Sequence, residues 1–203
     1  MSDDPSRGWD AVADRFTAIR SDAGADVVRR WARGLPAGAA VLDIGCGDGA
    51  PIAQALVDEG CVVSGVDASP RLLAAFRARF PAAEAVCEAA EASDFFGRRF
   101  DGAVAIGLVF LLPEADQRQV IARVGTALKP GGRFLFTAPR EACEWADSLT
   151  GRRSLSLGAP AYAALLKAGG MRLAGEHRDA GGNHHYDAVR AGEPAGGGSV
   201  IRS

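Results

Sequence analysis

The sequence lacks any apolar run near the roughly 20 residues that a transmembrane helix needs. Its first ten residues, MSDDPSRGWD, are acidic and polar, unlike a secretory signal peptide. Positive charge is also scarce, since 23 Lys and Arg face 25 Asp and Glu and no basic block occurs. Nucleic-acid binding needs a positive surface. We therefore expect neither a membrane nor a nucleic acid as partner.

Cysteines are few and scattered, and no C-x-x-C pair is present; the four are Cys46, Cys61, Cys87 and Cys143. This spacing excludes a disulfide framework and gives no strong zinc signal. We expect the cysteines to be small, buried side chains with free thiols, as in a reducing compartment. We therefore expect a cytoplasmic protein. Only three histidines occur, and two of them, His184 and His185, are adjacent. Adjacent strand residues point to opposite faces, so we predict no metal site there.

What the sequence does contain is an ordinary globular composition and one glycine-rich motif. Apolar residues make up 48% and charged residues 24% of its 203 positions, enough for one domain with a core. The motif is VLDIGCGDGA at residues 41–50. A short apolar run, three alternating glycines and a helix-like segment predict a strand, a tight turn and a helix N-terminus. Such a turn marks the ligand-binding end of a doubly wound α/β sheet.

Two cofactor classes use such a turn, and one acidic residue distinguishes them. Gly45, Gly47 and Ala50 satisfy the dinucleotide fingerprint G-x-G-x-x-G/A. Asp43, however, stands two residues before the first glycine, where its carboxylate would repel a pyrophosphate. The same carboxylate would attract a ligand that carries an ammonium group. The motif therefore favours an ammonium-bearing nucleoside over a dinucleotide.

Three segments together, LDIGCGDG at 42–49, GVDASP at 65–70 and LKPGGRFLF at 128–136, resemble the class I (Rossmann-like) methyltransferases that use S-adenosylmethionine (SAM), in particular the small-molecule type. The resemblance is strong over residues 35–140 and loose over 150–190. It implies an enzyme of class EC 2.1.1.- that moves the sulfonium methyl group of SAM to a nitrogen, oxygen or sulfur of a small molecule and leaves S-adenosylhomocysteine (SAH). Such a protein would be a monomer or a homodimer.

The fold that this resemblance implies is an α/β, Rossmann-like, doubly wound sheet of seven strands with helices on both faces. The strand order would be 3-2-1-4-5-7-6, with the final strand antiparallel. Residues 1–34 would form an N-terminal helical cap of the same domain, and residues 35–190 the SAM-binding domain. The Gly- and Pro-rich residues 191–203 are predicted to be a disordered tail.

The cofactor-binding positions expected in this sequence are Asp43, Gly45, Cys46, Gly47, Asp67, Ala68, Glu88, Ala89, Ala90, Ile106 and Arg20. Asp43 would neutralise the methionine ammonium. Asp67, which ends the second strand, would accept hydrogen bonds from both ribose hydroxyls. Arg20 is a candidate for the cofactor carboxylate on charge complementarity alone.

The segment after the third strand departs from the family pattern. Relatives carry a run close to D-A-E, whereas Ala89 stands here in the position of the aspartate. The adenine amino group could then be held by Glu88, by Glu91, or by backbone and Ser93.

The acceptor side has the least sequence pattern. Residues 139–158 are too long for an ordinary connection after the fifth strand and are predicted to form a lid or a substrate wall. The candidate acceptor contacts are Trp145, Phe110, Arg140 and Tyr186, and the candidate proton acceptors are His184 and His185. No catalytic residue is assigned more firmly.

Two alternative functions stay open at this point. One is a NAD(P)-dependent oxidoreductase, favoured by Ala50 and Asp67 and opposed by Asp43. The other is a SAM-binding regulatory protein without turnover, because the aspartate expected at Ala89 and a histidine expected at Leu111 are both missing.

Overall fold

The structure, a computed structural model, describes residues 4–192. Its helices are α1 (Ala13–Ile19), α2 (Ala25–Ala32), α3 (Ile52–Asp58), α4 (Pro70–Arg79), α5 (Glu114–Ala127) and α6 (Ala159–Ala168). Its strands are β1 (Ala40–Ile44), β2 (Val62–Asp67), β3 (Glu84–Cys87), β4 (Phe100–Ala105), β5 (Leu128–Thr137), β6 (Ala142–Ala146), β7 (Arg153–Leu157), β8 (Met171–Arg178) and β9 (His184–Arg190). Residues 193–203 of the predicted disordered tail lie outside the described residues.

Seven strands form one sheet in the order β3-β2-β1-β4-β5-β9-β8. The first five are mutually parallel, and β9 runs antiparallel to both β5 and β8. The predicted order and the antiparallel last strand are therefore confirmed. The numbering differs because residues 142–157, predicted as a long loop or lid, contain the separate antiparallel hairpin β6–β7.

The sheet is buried by helices on both faces, as predicted. On one face, α5 and α6 pack over Phe134 and Phe136, and on the other, α2, α3 and α4 pack over Val41 and Leu135. Each fully buried side chain of this size stabilises the fold by about 1.5–3 kcal/mol. Because both faces are covered, the central strands are nearly continuous apolar runs.

The predicted N-terminal cap divides into two parts with different roles. Helix α2 belongs to the core, because its Trp31 packs on β4 at Gly102, where a Cβ would lie 2.7 Å from the Trp31 ring. The Trp31 indole N–H also donates to Asp187 Oδ1 at 3.2 Å. Residues 4–23, here named the N-terminal strap, instead pass over the carboxyl ends of the strands. Within residues 4–192 no helix is both long and apolar enough to cross a membrane.

Candidate active site

A cavity of about 630 Å³ opens at the carboxyl ends of β1 to β5. Strand β1 lies between β2 and β4, so the connections that follow β1 and β4 leave the sheet in opposite directions and open a crevice between them. The volume lies in the range of roughly 300–1,000 Å³ that small-molecule sites occupy. Nine of the eleven predicted cofactor positions line the cavity: Arg20, Gly45, Gly47, Asp67, Ala68, Glu88, Ala89, Ala90 and Ile106.

The glycine turn after β1 forms one wall. Gly45 and Gly47 have φ values of +70° and +56°, in the left-handed region where side chains are strained. The Gly45 N–H donates to the Val66 carbonyl at 2.7 Å, which ties the turn to the end of β2. A Cβ at Gly45 would lie only 3.1 Å from the Leu108 side chain. Glycine at these two positions therefore both permits the turn and leaves space for a ligand.

Asp67 holds the two halves of this wall together. Its Oδ2 accepts the Gly47 N–H at 2.8 Å, and its Oδ1 accepts the Ser69 N–H at 2.8 Å. Burial raises the pKa of the Asp67 carboxyl, while these two N–H donors lower it. Ser69 in turn caps α4 by accepting the Leu72 N–H, with Pro70 at the first helical position. The carboxylate is thus fixed at the cavity wall by the backbone around it.

Asp43 lies behind the cavity surface. It is 2% exposed, and its Oδ2 has no hydrogen-bond partner among residues 4–192. Burial raises the pKa of Asp43 to about 7, and the Arg20 guanidinium opposes this rise. An orphaned carboxyl oxygen at this depth is costly unless a donor reaches it. Cys46, the other predicted position outside the lining, is buried with its thiol 3.8 Å from the Gly47 carbonyl.

Arg20 occupies the opposite side of the glycine turn. Its guanidinium lies 4.6 Å from the centre of the Phe16 ring, and a Cβ at Gly47 would lie 3.5 Å from it. Burial lowers the pKa of Arg20, and Asp48, Asp43 and Asp67 oppose that shift. A fixed cation and two buried carboxyls therefore flank the same stretch of backbone.

The segment after β3 supplies a further acidic wall. The Glu88 N–H donates to the Asp67 carbonyl at 3.1 Å, so this segment continues directly from the end of β2. Glu91 also lines the cavity but pairs with Arg7 at 2.9 Å. Ser93 lies outside the lining, because its hydroxyl is turned back to accept the Phe95 N–H. Of the three side chains considered for adenine, Glu88 alone both lines the cavity and forms no ion pair within the described part of the chain.

Phe110 and Trp145 come together at the other end of the cavity. Their ring centres are 5.4 Å apart with an interplanar angle of 40°. Trp145 lies on β6 and is 36% exposed, so the β6–β7 hairpin contributes one wall. Arg140, just before β6, also lines this region. Three of the four predicted acceptor contacts therefore lie together at this end of the cavity.

The fourth predicted acceptor contact, Tyr186, is absent from the cavity lining. It is 1% exposed, stacks on Phe136 at 4.8 Å and packs at a tilt against Tyr162 at 5.3 Å. Strand alternation directs Tyr186 to the face that carries α6, where the aromatic cluster fills the core. The placement of Tyr186 in the acceptor pocket was wrong for this reason.

The two candidate histidines at the start of β9 have different surroundings. His184 lines the cavity, and its ring makes no hydrogen bond, with Nε2 3.8 Å from Glu176 Oε1. His185 points to the other face, is fully buried and contacts Asp179 Oδ2 through Nε2 at 3.2 Å. Only His184 is therefore placed to meet a bound molecule. Within residues 4–192 no three His, Cys, Asp or Glu side chains are grouped as a metal ion would require.

The N-terminal strap covers the cavity and is held by charges. Arg7 pairs with Glu91 and also with Asp116 of α5. Asp10 Oδ1 accepts the Ser69 hydroxyl at 2.6 Å and the Arg71 N–H at 2.9 Å.

The strap also contributes two aromatic side chains to the site, and the sequence does not predict this role. Trp9 and Phe16 both line the cavity and meet edge to face at 5.3 Å. The available signal was their shared helical face in the sequence, which predicts burial but does not say against what.

The strand order, the antiparallel β9 and the cavity at the carboxyl ends of the strands define a Rossmann-like methyltransferase fold. Residues 41–132 match a family model described as "Methyltransferase domain". These residues make up a little under half of the chain, and this part is similar to that domain.

Comparisons with individual proteins agree with this class. Curated relatives include aklanonic acid methyltransferase DauC from Streptomyces sp. (strain C5), 37% identical over 112 residues that cover 50% of this chain and 49% of the relative. Another is the O-methyltransferase cnsE from Penicillium expansum, 33% identical over 103 residues, 47% of this chain and 36% of the relative. The matched parts thus span half or less of these relatives.

Solved structures share the fold at low sequence identity. The CcbJ methyltransferase from Streptomyces caelestis has a TM-score of 0.71 at 21% identity, covering 94% of this chain and all of that one. The Burkholderia thailandensis 1,6-didemethyltoxoflavin-N1-methyltransferase, solved with SAH bound, has a TM-score of 0.66 at 23% identity, covering 89% and 87% of the two chains.

Proposed function

We propose that this chain is a SAM-dependent methyltransferase that acts on a small molecule. The observation that carries the proposal is a single cavity that joins two chemically different ends. One end has the glycine turn and the Asp67 carboxylate, and the other has the Phe110–Trp145 wall. A nucleoside cofactor fits the first end and an acceptor the second.

The donor set at the first end fits SAM. Asp67 offers a fixed carboxylate to the ribose hydroxyls, and Arg20 offers a guanidinium to the carboxylate of the methionine part. The unpartnered Oδ2 of Asp43 offers an acceptor for the ammonium. The small side chains of Ala68 and Ala89 line the cavity next to Asp67 and leave room for the adenine. Glu88 is the proposed contact of the adenine amino group.

SAM supplies the chemistry, because its sulfonium makes the methyl group electrophilic. The residues of this chain would supply position: they would hold the methyl group and the acceptor atom in line and exclude water. The N-terminal strap and the β6–β7 hairpin, which close the cavity from two sides, suit the second task.

One charge opposes the oxidoreductase alternative. Asp43 is buried beside the glycine turn, where a dinucleotide would place its pyrophosphate. For the regulatory alternative, a built acceptor end would have no purpose without turnover.

The acceptor is proposed to be a small molecule, because the cavity of about 630 Å³ is narrowed by walls from the strap and the hairpin. A nucleic acid or membrane partner is not expected, and the chain is proposed to act as a monomer or homodimer. The proposed location is the cytoplasm, in keeping with four unpaired thiols.

Release of SAH from SAM in the presence of small phenols, amines, acids and thiols tests this proposal. Acceptor-dependent SAH formation by the purified chain supports it, and the Asp67→Ala variant serves as the inactive control. SAM binding without turnover on any acceptor class would favour the regulatory protein instead.

A further inference from the structure

We propose that His184 is the general base of this site, taking the proton from the hydroxyl of an aromatic acceptor held against Trp145 and Phe110. The inference rests on the proposed function and narrows it to O-methylation of a hydroxylated aromatic molecule. It assigns the base to one of two adjacent histidines that the sequence leaves equivalent.

The position of His184 supports this role. The residue begins β9, is 8% exposed and lines the cavity. Its carbonyl accepts the Ala138 N–H at 3.2 Å, which fixes it beside the segment that leads into β6 and Trp145. Its ring rests edge-on against Tyr186, with ring centres 4.6 Å apart. Tyr186 thus holds the imidazole in place on the acceptor side of the cavity.

The hydrogen-bonding state of His184 also supports it. The ring makes no hydrogen bond within residues 4–192, and its buried Nε2 lies 3.8 Å from Glu176 Oε1, beyond hydrogen-bond distance. Buried polar groups are normally paired, so an unpaired imidazole that borders a cavity is a position where a ligand group is expected. His185 differs in its position, because it does not line the cavity; its Nε2 contacts Asp179, although its Nδ1 is also without a hydrogen-bond partner within residues 4–192.

The charges around His184 keep it able to accept a proton. From β8, Glu176 raises and Arg178 lowers its pKa, and from the segment after β5, Glu141 raises and Arg140 lowers it. Burial is the largest influence, and it places the pKa of His184 below its ordinary value. The imidazole is therefore neutral at pH 7.

The proposed step transfers one proton to His184 and one methyl group from sulfur to oxygen. The hydroxyl proton passes to a nitrogen of His184 as an oxygen lone pair forms the new bond to the methyl carbon. The bond between that carbon and the sulfonium sulfur breaks, and its electron pair stays on sulfur. The imidazolium then releases its proton to water. A hydroxyl needs such a base, whereas a neutral aromatic amine attacks through a free lone pair.

The acceptor end favours a flat aromatic molecule. Phe110 and Trp145 present two tilted rings at 5.4 Å, and the cavity wall around them includes Leu111 and Leu149. Aromatic rings pack against such walls in offset or edge-on arrangements. Arg140 and Arg178 also line the cavity, and their positive charge would stabilise the negative charge that grows on a phenolic oxygen as it loses its proton.

The test compares His184→Gln with the control His177→Gln, which changes a half-exposed histidine on β8 outside the cavity. Each protein is assayed with SAM and two matched acceptors, 2-naphthol and 2-naphthylamine, within a panel of hydroxylated aromatics. We expect His184→Gln to lower kcat for the hydroxyl acceptors about 100-fold or more and to change the amine rate less than about threefold. His177→Gln should change neither rate.

A second readout does not depend on turnover. In the SAH-bound protein, the ring resonance of His184, assigned by its loss in His184→Gln, should shift when 2-naphthol is added, and that of His177 should not. Glu176→Gln should move the acid limb of the pH–rate profile to lower pH, because removal of the carboxylate disfavours the imidazolium. His184→Asn replaces His184→Gln if the latter melts at a lower temperature.

The outcomes separate this inference from the proposed function. Equal loss with the hydroxyl and amine acceptors, or no response of the His184 resonance to 2-naphthol, overturns the base. A SAM-binding chain that methylates none of the hydroxylated aromatics overturns the acceptor class while leaving SAM binding intact. A chain that does not bind SAM overturns the proposed function itself.

Discussion

The two ends of the cavity are built in different ways. The glycine-turn end is formed by short segments that directly follow β1, β2 and β3, and backbone hydrogen bonds such as that from Gly47 to Asp67 fix it. The aromatic end is formed by Phe110 after β4, the β6–β7 hairpin and the turn before β9, which are far apart in sequence. The first end is therefore determined by local sequence, and the second by how remote segments pack.

This difference has a physical consequence for function. A wall made of strand ends inherits the rigidity of the sheet, which suits a cofactor that is the same in every turnover. Walls made of connecting segments can change without disturbing the sheet, which suits an acceptor that differs among related enzymes. We expect substitutions at the first end to alter SAM affinity and those at the second to alter acceptor use.

The largest expected effect is at Asp67. Asp67→Ala should weaken SAM binding by at least about 100-fold, because two hydrogen bonds to a charged group are lost, each contributing roughly 1.5–3 kcal/mol. Calorimetry measures the affinity for SAM. Asp67→Asn keeps the shape of the side chain, so its affinity should lie between those of Asp67→Ala and the wild type. Wild-type affinity in Asp67→Ala would show that the first end does not hold the nucleoside.

Asp43 should give SAM binding a dependence on pH. Its pKa of about 7 in the free protein means that it is about half protonated at pH 7, and an ammonium binds its ionised form. Affinity should therefore rise about tenfold from pH 6 to pH 8, with release of about half a proton at pH 7.

Calorimetry in buffers of different ionisation enthalpy measures the number of protons released when SAM binds. Asp43→Asn should bind SAM more weakly and lose the dependence on pH, and Asp43→Ala should bind sharply more weakly while keeping the fold. If the wild type and Asp43→Asn share one pH profile, Asp43 does not meet the ammonium.

A smaller effect is expected at Trp145. Trp145→Ala removes one aromatic wall of the acceptor end, so the acceptor KM should rise about tenfold while SAM affinity stays within about twofold. Steady-state kinetics and calorimetry on the same preparation separate the two. Equal loss of both affinities would mean that the two ends are not independent.

The smallest effect is expected at Arg7, which ties the strap to the sheet. Its partners Glu91 and Asp116 are partly exposed, and such pairs contribute about 0–1 kcal/mol each. Arg7→Gln should lower the melting temperature by only a few degrees and raise the dissociation rate of SAM. A stopped-flow dissociation rate unchanged by Arg7→Gln would show that the strap does not gate the cavity.

The same division between the two ends of the cavity separates what could be predicted from the sequence from what could not. The strand order was predictable from the family resemblance. Most residues that line the glycine-turn end were predictable too, because glycines with positive φ and an acid at a strand end leave a local trace in the sequence. The β6–β7 hairpin left none, since its buried positions on β7 are Ser154 and Ser156 and its outer strand is exposed. Alternation of hydrophobicity, the usual sign of a strand, is therefore inverted there.

Tyr186 and His184 show a second limit. Both lie on one face of β9, as the alternation predicts, yet one is in the aromatic core and the other at the cavity. Where along a strand the core ends and a cavity begins depends on the neighbouring elements, here α6 and the segment before β6. Sequence periodicity gives the face but not that boundary.

The most direct test of the account is calorimetry of the purified chain with SAM, SAH and NAD. Binding of SAM and SAH without NAD is the predicted result, because the buried Asp43 beside the glycine turn would accept an ammonium and repel a pyrophosphate. Binding of NAD without SAM would contradict the account and would assign the cavity to a dinucleotide.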